Sequence, residues 1–132
     1  KYNLHDYAID GVSLEKDRIV FHFPDGVYIA DGNGQELKPL RKKLAFLLDT
    51  ENWPGDSAES FLSIRRRTRG GRGWKDISFR QFQRLFQKGN MVIHDEYDSK
   101  LTNWKMLQIH TSVKWNAIEM FITDILDVEF PE

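Results

Sequence analysis

Apolar residues fall at every second position through Arg18-Ile19-Val20-Phe21-His22-Phe23, with Ile19, Phe21 and Phe23 on one face and Val20 and His22 on the other. Successive side chains leave a strand on opposite faces, so this period belongs to β-structure. The same brevity of apolar runs recurs at Val27-Tyr28-Ile29, Phe61-Leu62-Ser63-Ile64, Trp74 to Ile77, Met91 to Tyr97, Trp104 to His110 and Ala117 to Phe130. Leu40, Leu44, Leu47 and Leu48 fit a helical spacing, while Leu44, Phe46 and Leu48 fit a strand. Trp53-Pro54-Gly55 interrupts that stretch soon afterwards, which favours the strand.

Turn chemistry joins these runs. Pro24-Asp25-Gly26 presets one corner and admits positive φ at the next, so Val27-Tyr28-Ile29 is expected to fold back on 18–23 as a hairpin. Asp31-Gly32-Asn33-Gly34 is a second turn. It superficially suggests a calcium loop, but Glu36 stands where the sharp turn needs glycine and Lys42 where a bidentate acid belongs, which leaves a polar turn. Gly70-Gly71-Arg72-Gly73 predicts a hairpin tip between 61–67 and 74–77. The last run, 117–130, is long enough to bend or split near Asp124 to Asp127.

One segment has clear helical signals. Ser78 can cap an N-terminus, Gln81 completes a capping box, and Ile77 can staple against Phe82. Phe79, Phe82, Leu85 and Phe86 form a stripe, Lys88 suits the negative end of the dipole, and Gly89 closes the helix. About seven or eight strands and one amphipathic helix (about 78–88) imply an α+β, mainly β fold, its antiparallel sheet curled into a sandwich or partial barrel. The 132 residues fit a single globular domain, 1–132, and nine Phe, four Trp and four Tyr suffice to fill its core.

With 19 Lys plus Arg against 20 Asp plus Glu, the formal net charge is −1, which excludes a surface built throughout for nucleic acid or anionic membrane. The absence of cysteine excludes disulfides, thiolate nucleophiles and cysteine-based metal sites, and favours a reducing, cytoplasmic setting. The longest apolar run, Leu44 to Leu48, is too short to span a bilayer, so no membrane role is expected.

Charge is nevertheless segregated: residues 65–88 hold nine Lys and Arg against the single acid Asp76. The candidate binding residues are Arg65, Arg66, Arg67, Arg69, Arg72, Trp74, Arg80 and Arg84. Arg80, Arg84 and Lys88 recur every four residues and would extend the hairpin's positive surface along one helix face. Guanidinium forks phosphate and stacks on bases, and indole offers a platform, which is chemistry suited to RNA or single strands. Residues 117–132 carry Glu119, Asp124, Asp127, Glu129 and Glu132 with no basic residue, and could instead pair with the basic arms or make the molecule dipolar.

His94 and Glu96 would share a strand face, with His22 or His110 as further candidates for an acid–base or metal role, yet the chain contains no zincin helix, nucleophile elbow, dinucleotide loop or Walker lysine. No cofactor or metal is implied. Trp53, Trp74, Trp104 and Trp115 suit core packing first and a ligand pocket second.

Three stretches, Leu4-His5-Asp6 through Phe23-Pro24-Asp25-Gly26-Val27-Tyr28, Ile77-Ser78-Phe79 through Gly89-Asn90, and Glu119-Met120-Phe121-Ile122-Thr123-Asp124-Ile125, resemble small uncharacterised bacterial β-rich domains. Some of these are similar to immunity proteins that neutralise toxins, which implies a cytoplasmic, non-enzymatic protein-binding role and transfers no site residue. The leading expectation is therefore a protein-interaction module with an unknown protein partner. The rivals are nucleic-acid binding through the hairpin 65–72 and small-ligand binding in an aromatic-lined sheet pocket. A homodimer through a strand edge is a further partner option.

Overall fold

A computed structural model describes residues 3–30, 32–68, 70–99, 103–111 and 116–132, the side chains of 36–39 aside. In chain order these form β1 (Ala8–Ile9), β2 (Gly11–Leu14), β3 (Arg18–Ala30), β4 (Glu36–Leu48), β5 (Leu62–Arg67), β6 (Trp74–Ile77), α1 (Phe79–Arg84), β7 (Met91–Asp98), β8 (Lys105–Thr111), β9 (Ala117–Ile122) and β10 (Ile125–Glu129). Single 3₁₀ turns occupy Ala58–Phe61 and Leu85–Lys88. The strands build two antiparallel sheets, one ordered β1-β7-β8-β9-β5-β6 and the other β10-β4-β3-β2, and they do not close into a barrel. The mainly β, α+β expectation holds, with ten strands among the described residues rather than seven or eight.

One cluster of buried side chains joins both sheets: Ile19, Phe21, Phe46 and Leu48 from the smaller, and Ile93, Leu107 and Met120 from the larger. The chain changes sheet three times, between β1 and β2, between β4 and β5, and between β9 and β10. At Asp10, between β1 and β2, the backbone N–H donates to His22 O at 3.1 Å. At Asp124, φ is +54°, a left-handed conformation that aspartate tolerates better than most residues, and the run 117–130 splits there into β9 and β10.

The expected hairpin at Pro24-Asp25-Gly26 is not formed. β3 runs through these residues as a bulge, pairing His22 with Lys43 and then Val27 with Arg41, so that four residues of β3 face Lys42 alone. The Lys42 ammonium donates to Pro24 O at 2.6 Å. β4 carries its own irregularity next, between Arg41 and Leu37, where Pro39 has no N–H to give to the ladder. The fully buried Phe23 and Val27 explain the outcome, because continuing in one strand keeps both in the core. The true reversal is the Gly32-Asn33-Gly34 turn.

Gly26 is required at the bulge. Its φ is +81°, and a Cβ there would lie 2.9 Å from Leu40 Cβ. Gly26→Ala is expected to cost roughly 1–3 kcal/mol, read as a lowered urea midpoint with an unchanged slope.

α1 begins where the capping signals place it. The Ser78 hydroxyl accepts from Gln81 N–H at 3.1 Å, and Gln81 Oε1 accepts from Ser78 N–H at 2.8 Å. The helix is shorter than expected, tightening into the 3₁₀ turn at Leu85 before Gly89 ends it with φ +133°. Its stripe packs as expected: Phe79 and Phe82 are buried, Leu85 and Phe86 lean on the core, and Phe82 meets the Phe86 ring edge-on at 5.4 Å. Ser78→Ala is expected to lower stability by about 1 kcal/mol, measurable by thermal unfolding.

Candidate functional site

Three consecutive arginines on a strand cannot share one face. In β5, Arg65 lies opposite Glu119 of β9 and Asp76 of β6, Arg66 opposite Ile118 and Lys75, and Arg67 opposite Trp74. Alternation therefore sends Arg65 and Arg67 to the outer face of the larger sheet, and Arg66 to the face that carries the buried Ile64. The continuous basic patch expected from the sequence is divided between two surfaces.

On the outer surface Arg65 is paired with acid. Arg65 Nε donates to Glu119 Oε1 at 2.7 Å, and a second guanidinium nitrogen meets the same buried carboxylate. Its guanidinium also stands 4.9 Å from the Trp74 ring centre and 5.2 Å from that of Phe121, while Arg67 covers Trp74 from 5.2 Å. Register carries this row across five strands as Asp95, Gln108, Glu119, Arg65 and Asp76, so acids outnumber bases along it. Tyr97 and Trp104 are exposed beside it, with Trp104 6.5 Å from Phe121. The Asp95 carboxylate raises the Tyr97 phenol above its usual pKa, chiefly by charge, with burial and their hydrogen bond adding to it.

The inner face of the same hairpin differs. Beyond the core, Arg66 and Lys75 face α1 across a groove of about 550 Å³, whose other wall includes Gln81, Arg84 and Leu85. Among the described residues no carboxylate lies within ion-pair distance of Arg66, Lys75 or Arg84. Arg67 is held at the rim, donating from Nε to Gly71 O at 3.0 Å. Because Gln81 Oε1 is committed to the helix cap, its Nε2 presents a donor.

Arg66 and Arg84 are thus brought together in the groove with Arg67 at its rim, and Arg65 and Trp74 lie on the opposite surface. Arg72 is exposed at the hairpin tip and Arg80 on α1, neither lining the groove, and Arg69 lies outside the described residues. Lys75 and Gln81 were missed as site residues; the cross-strand register pairing Arg66 with Lys75 is the signal that identifies the former. Among the described residues, the acidic C-terminal segment pairs with the basic arms only through Glu119. Glu129 instead meets Arg18 at 3.1 Å and, after the Glu15 hydrogen bond, helps raise its guanidinium pKa; Glu132 approaches Arg41 at 3.8 Å.

The histidine expectation needs correction. β7 carries a bulge at His94, between the pairs Ile93–Ile109 and Asp95–Gln108, which resets the alternation. Glu96 consequently faces inward, bonded to Lys105 at 2.8 Å and accepting from Leu4 N–H at 3.1 Å. His94 is exposed, its ring 5.9 Å from that of His5 and 6.0 Å from that of His110. His22 sits apart, bonded to Asp10. No group of three or more His, Asp or Glu among the described residues could hold a metal ion.

The three described tryptophans do not pack the core. Trp53 is 50% exposed, Trp104 is exposed and Trp74 half-buried, Trp115 lies outside the described residues, and phenylalanines fill the interior instead. Among the described residues, Trp53, Trp74 and Trp104 share no cleft. A cleft of about 860 Å³ is lined instead by tyrosines and acids, among them Tyr7, Tyr28, Asp95 and Asp98.

No described helix is long and apolar enough to cross a membrane. No known protein family, curated protein or solved structure matches this chain, so the groove stands on its own residues.

Proposed function

We propose that this chain is a binding module that receives an acidic segment of a partner protein in the groove between the β5–β6 hairpin and α1. One observation carries the reading: Arg66, Lys75 and Arg84 share a groove into which no carboxylate of the described chain is directed. Like charges held together without compensation cost energy that an anionic partner relieves.

A protein segment is favoured over a nucleic acid by the placement of the aromatics. Trp74, the indole best placed to stack a base, lies on the face opposite the groove and is already covered by Arg65 and Arg67. The surface around it holds Asp76, Glu119 and Asp95, which would repel a phosphate backbone tracking across the sheet. Neutralisation of a toxin is the form this binding takes if the resemblance to immunity proteins extends to function.

Fluorescence anisotropy with a labelled oligoglutamate peptide tests the reading. Losing a charge-assisted contact is worth about 1.5–3 kcal/mol, so Arg84→Glu is expected to weaken binding by roughly tenfold or more while leaving the melting temperature unchanged. Arg72→Glu, which changes charge equally at the exposed tip, is expected to weaken it far less. Equal effects of the two variants would show that only general charge is sensed.

A further inference from the structure

We infer that the groove recognises a phosphoryl group on its acidic partner, not carboxylates alone; this rests on the groove being the partner site. Arg66 and Lys75 are direct cross-strand partners, and Arg84 faces them from α1, so three positive charges line one cavity of about 550 Å³, with Arg67 at its rim. A carboxylate brings one negative charge and two oxygens. A phosphomonoester brings about −1.5 to −2 near neutral pH and three strong acceptor oxygens.

The donor set matches the second. Each guanidinium presents a planar fork suited to two phosphate oxygens, and the lysine supplies a point charge. Gln81 adds its amide N–H₂, oriented outward because its carbonyl oxygen is bound to Ser78 N–H at 2.8 Å. The Thr68 hydroxyl is already directed to Gly73 O at 3.2 Å and is not counted among the donors. The half-buried Ile77 and Leu85 complete the lining with apolar surface for the stem of a phosphorylated side chain.

Calorimetric titration of the full chain decides the matter, using three short Asp/Gly peptides identical except for a central serine, glutamate or phosphoserine, with an oligothymidylate strand as a fourth probe. The phosphoserine peptide is expected to bind roughly tenfold tighter than the glutamate peptide, and Arg84→Gln or Lys75→Gln to abolish most of that preference. The preference is also expected to shrink between about pH 7.5 and about pH 5.5, as the phosphate takes up its second proton. The charged groups facing the groove are Arg66, Lys75 and Arg84, with Arg67 at the rim, and no histidine or carboxylate of the described residues lines it, so the change belongs to the ligand.

Equal affinity for the glutamate and phosphoserine peptides would overturn the phosphoryl inference and leave the acidic-partner reading standing. Absence of binding by every peptide would overturn both. Tighter binding of the oligothymidylate than of the phosphoserine peptide would overturn both in favour of nucleic acid.

Discussion

Lys105→Ala is expected to remove about 3–5 kcal/mol of stability in urea unfolding, the effect of stripping the partner from a buried charge. Lys105 starts β8 on the inward-facing side, opposite Ile122, and its side chain is only 8% exposed. Its ammonium lies 2.8 Å from Glu96, 3.2 Å from Asp98 and 5.2 Å from the centre of the Phe46 ring. Asp98 is largely in water, but the Glu96 side chain is 16% exposed and also holds the Leu4 backbone N–H. Without the lysine, that carboxylate keeps its desolvation penalty and loses its counter-charge.

The paired change Lys105→Met with Glu96→Gln is expected to cost far less than Lys105→Ala, because no buried charge is then left alone. A loss below about 1 kcal/mol for Lys105→Ala would mean that the pair is screened like a surface ion pair.

Phe82→Ala is expected to be comparably damaging, at about 3–5 kcal/mol, for a different reason. The ring is fully buried and meets Phe79 at 6.2 Å and Phe86 at 5.4 Å, so its removal opens a cavity beneath α1. Since α1 carries Gln81 and Arg84 into the groove, this variant is expected to weaken binding of an acidic peptide without altering any charge. Arg84→Glu should show the converse, weakened binding at unchanged stability. Unfolding curves and anisotropy on the two variants separate the helix's structural part from the groove's electrostatic one. Intact peptide binding by a folded but destabilised Phe82→Ala protein would show that the groove does not need α1.

Local chemistry made much of this fold legible. The capping box at Ser78 and Gln81 depends on neighbours a few residues apart, and so does the hairpin tip between Arg67 and Trp74; both formed where their residues indicate. Failures arose where distant register outweighed local preference. Pro24-Asp25-Gly26 has the composition of a turn, but burial of Phe23 and Val27 in one strand turns it into a bulge.

The site followed the same division. An excess of arginine between 65 and 88 was visible, whereas its splitting was not, since strand alternation and the Arg65–Glu119 pairing send one arginine to a neutralised surface and its neighbour to an uncompensated groove. The inward turn of Glu96 depends on one extra residue at His94, and nothing adjacent in the chain announces that bulge.

The anionic partner is expected to occupy the groove and not the aromatic outer face. Amide chemical shifts of the ¹⁵N-labelled chain, followed through a titration with an acidic phosphoserine peptide, test this most directly. The largest changes are expected on Arg66, Lys75, Gln81 and Arg84, saturating together, with Tyr97, Trp104 and Phe121 scarcely moved. Changes concentrated on those three aromatic residues, with the groove amides silent, would contradict this.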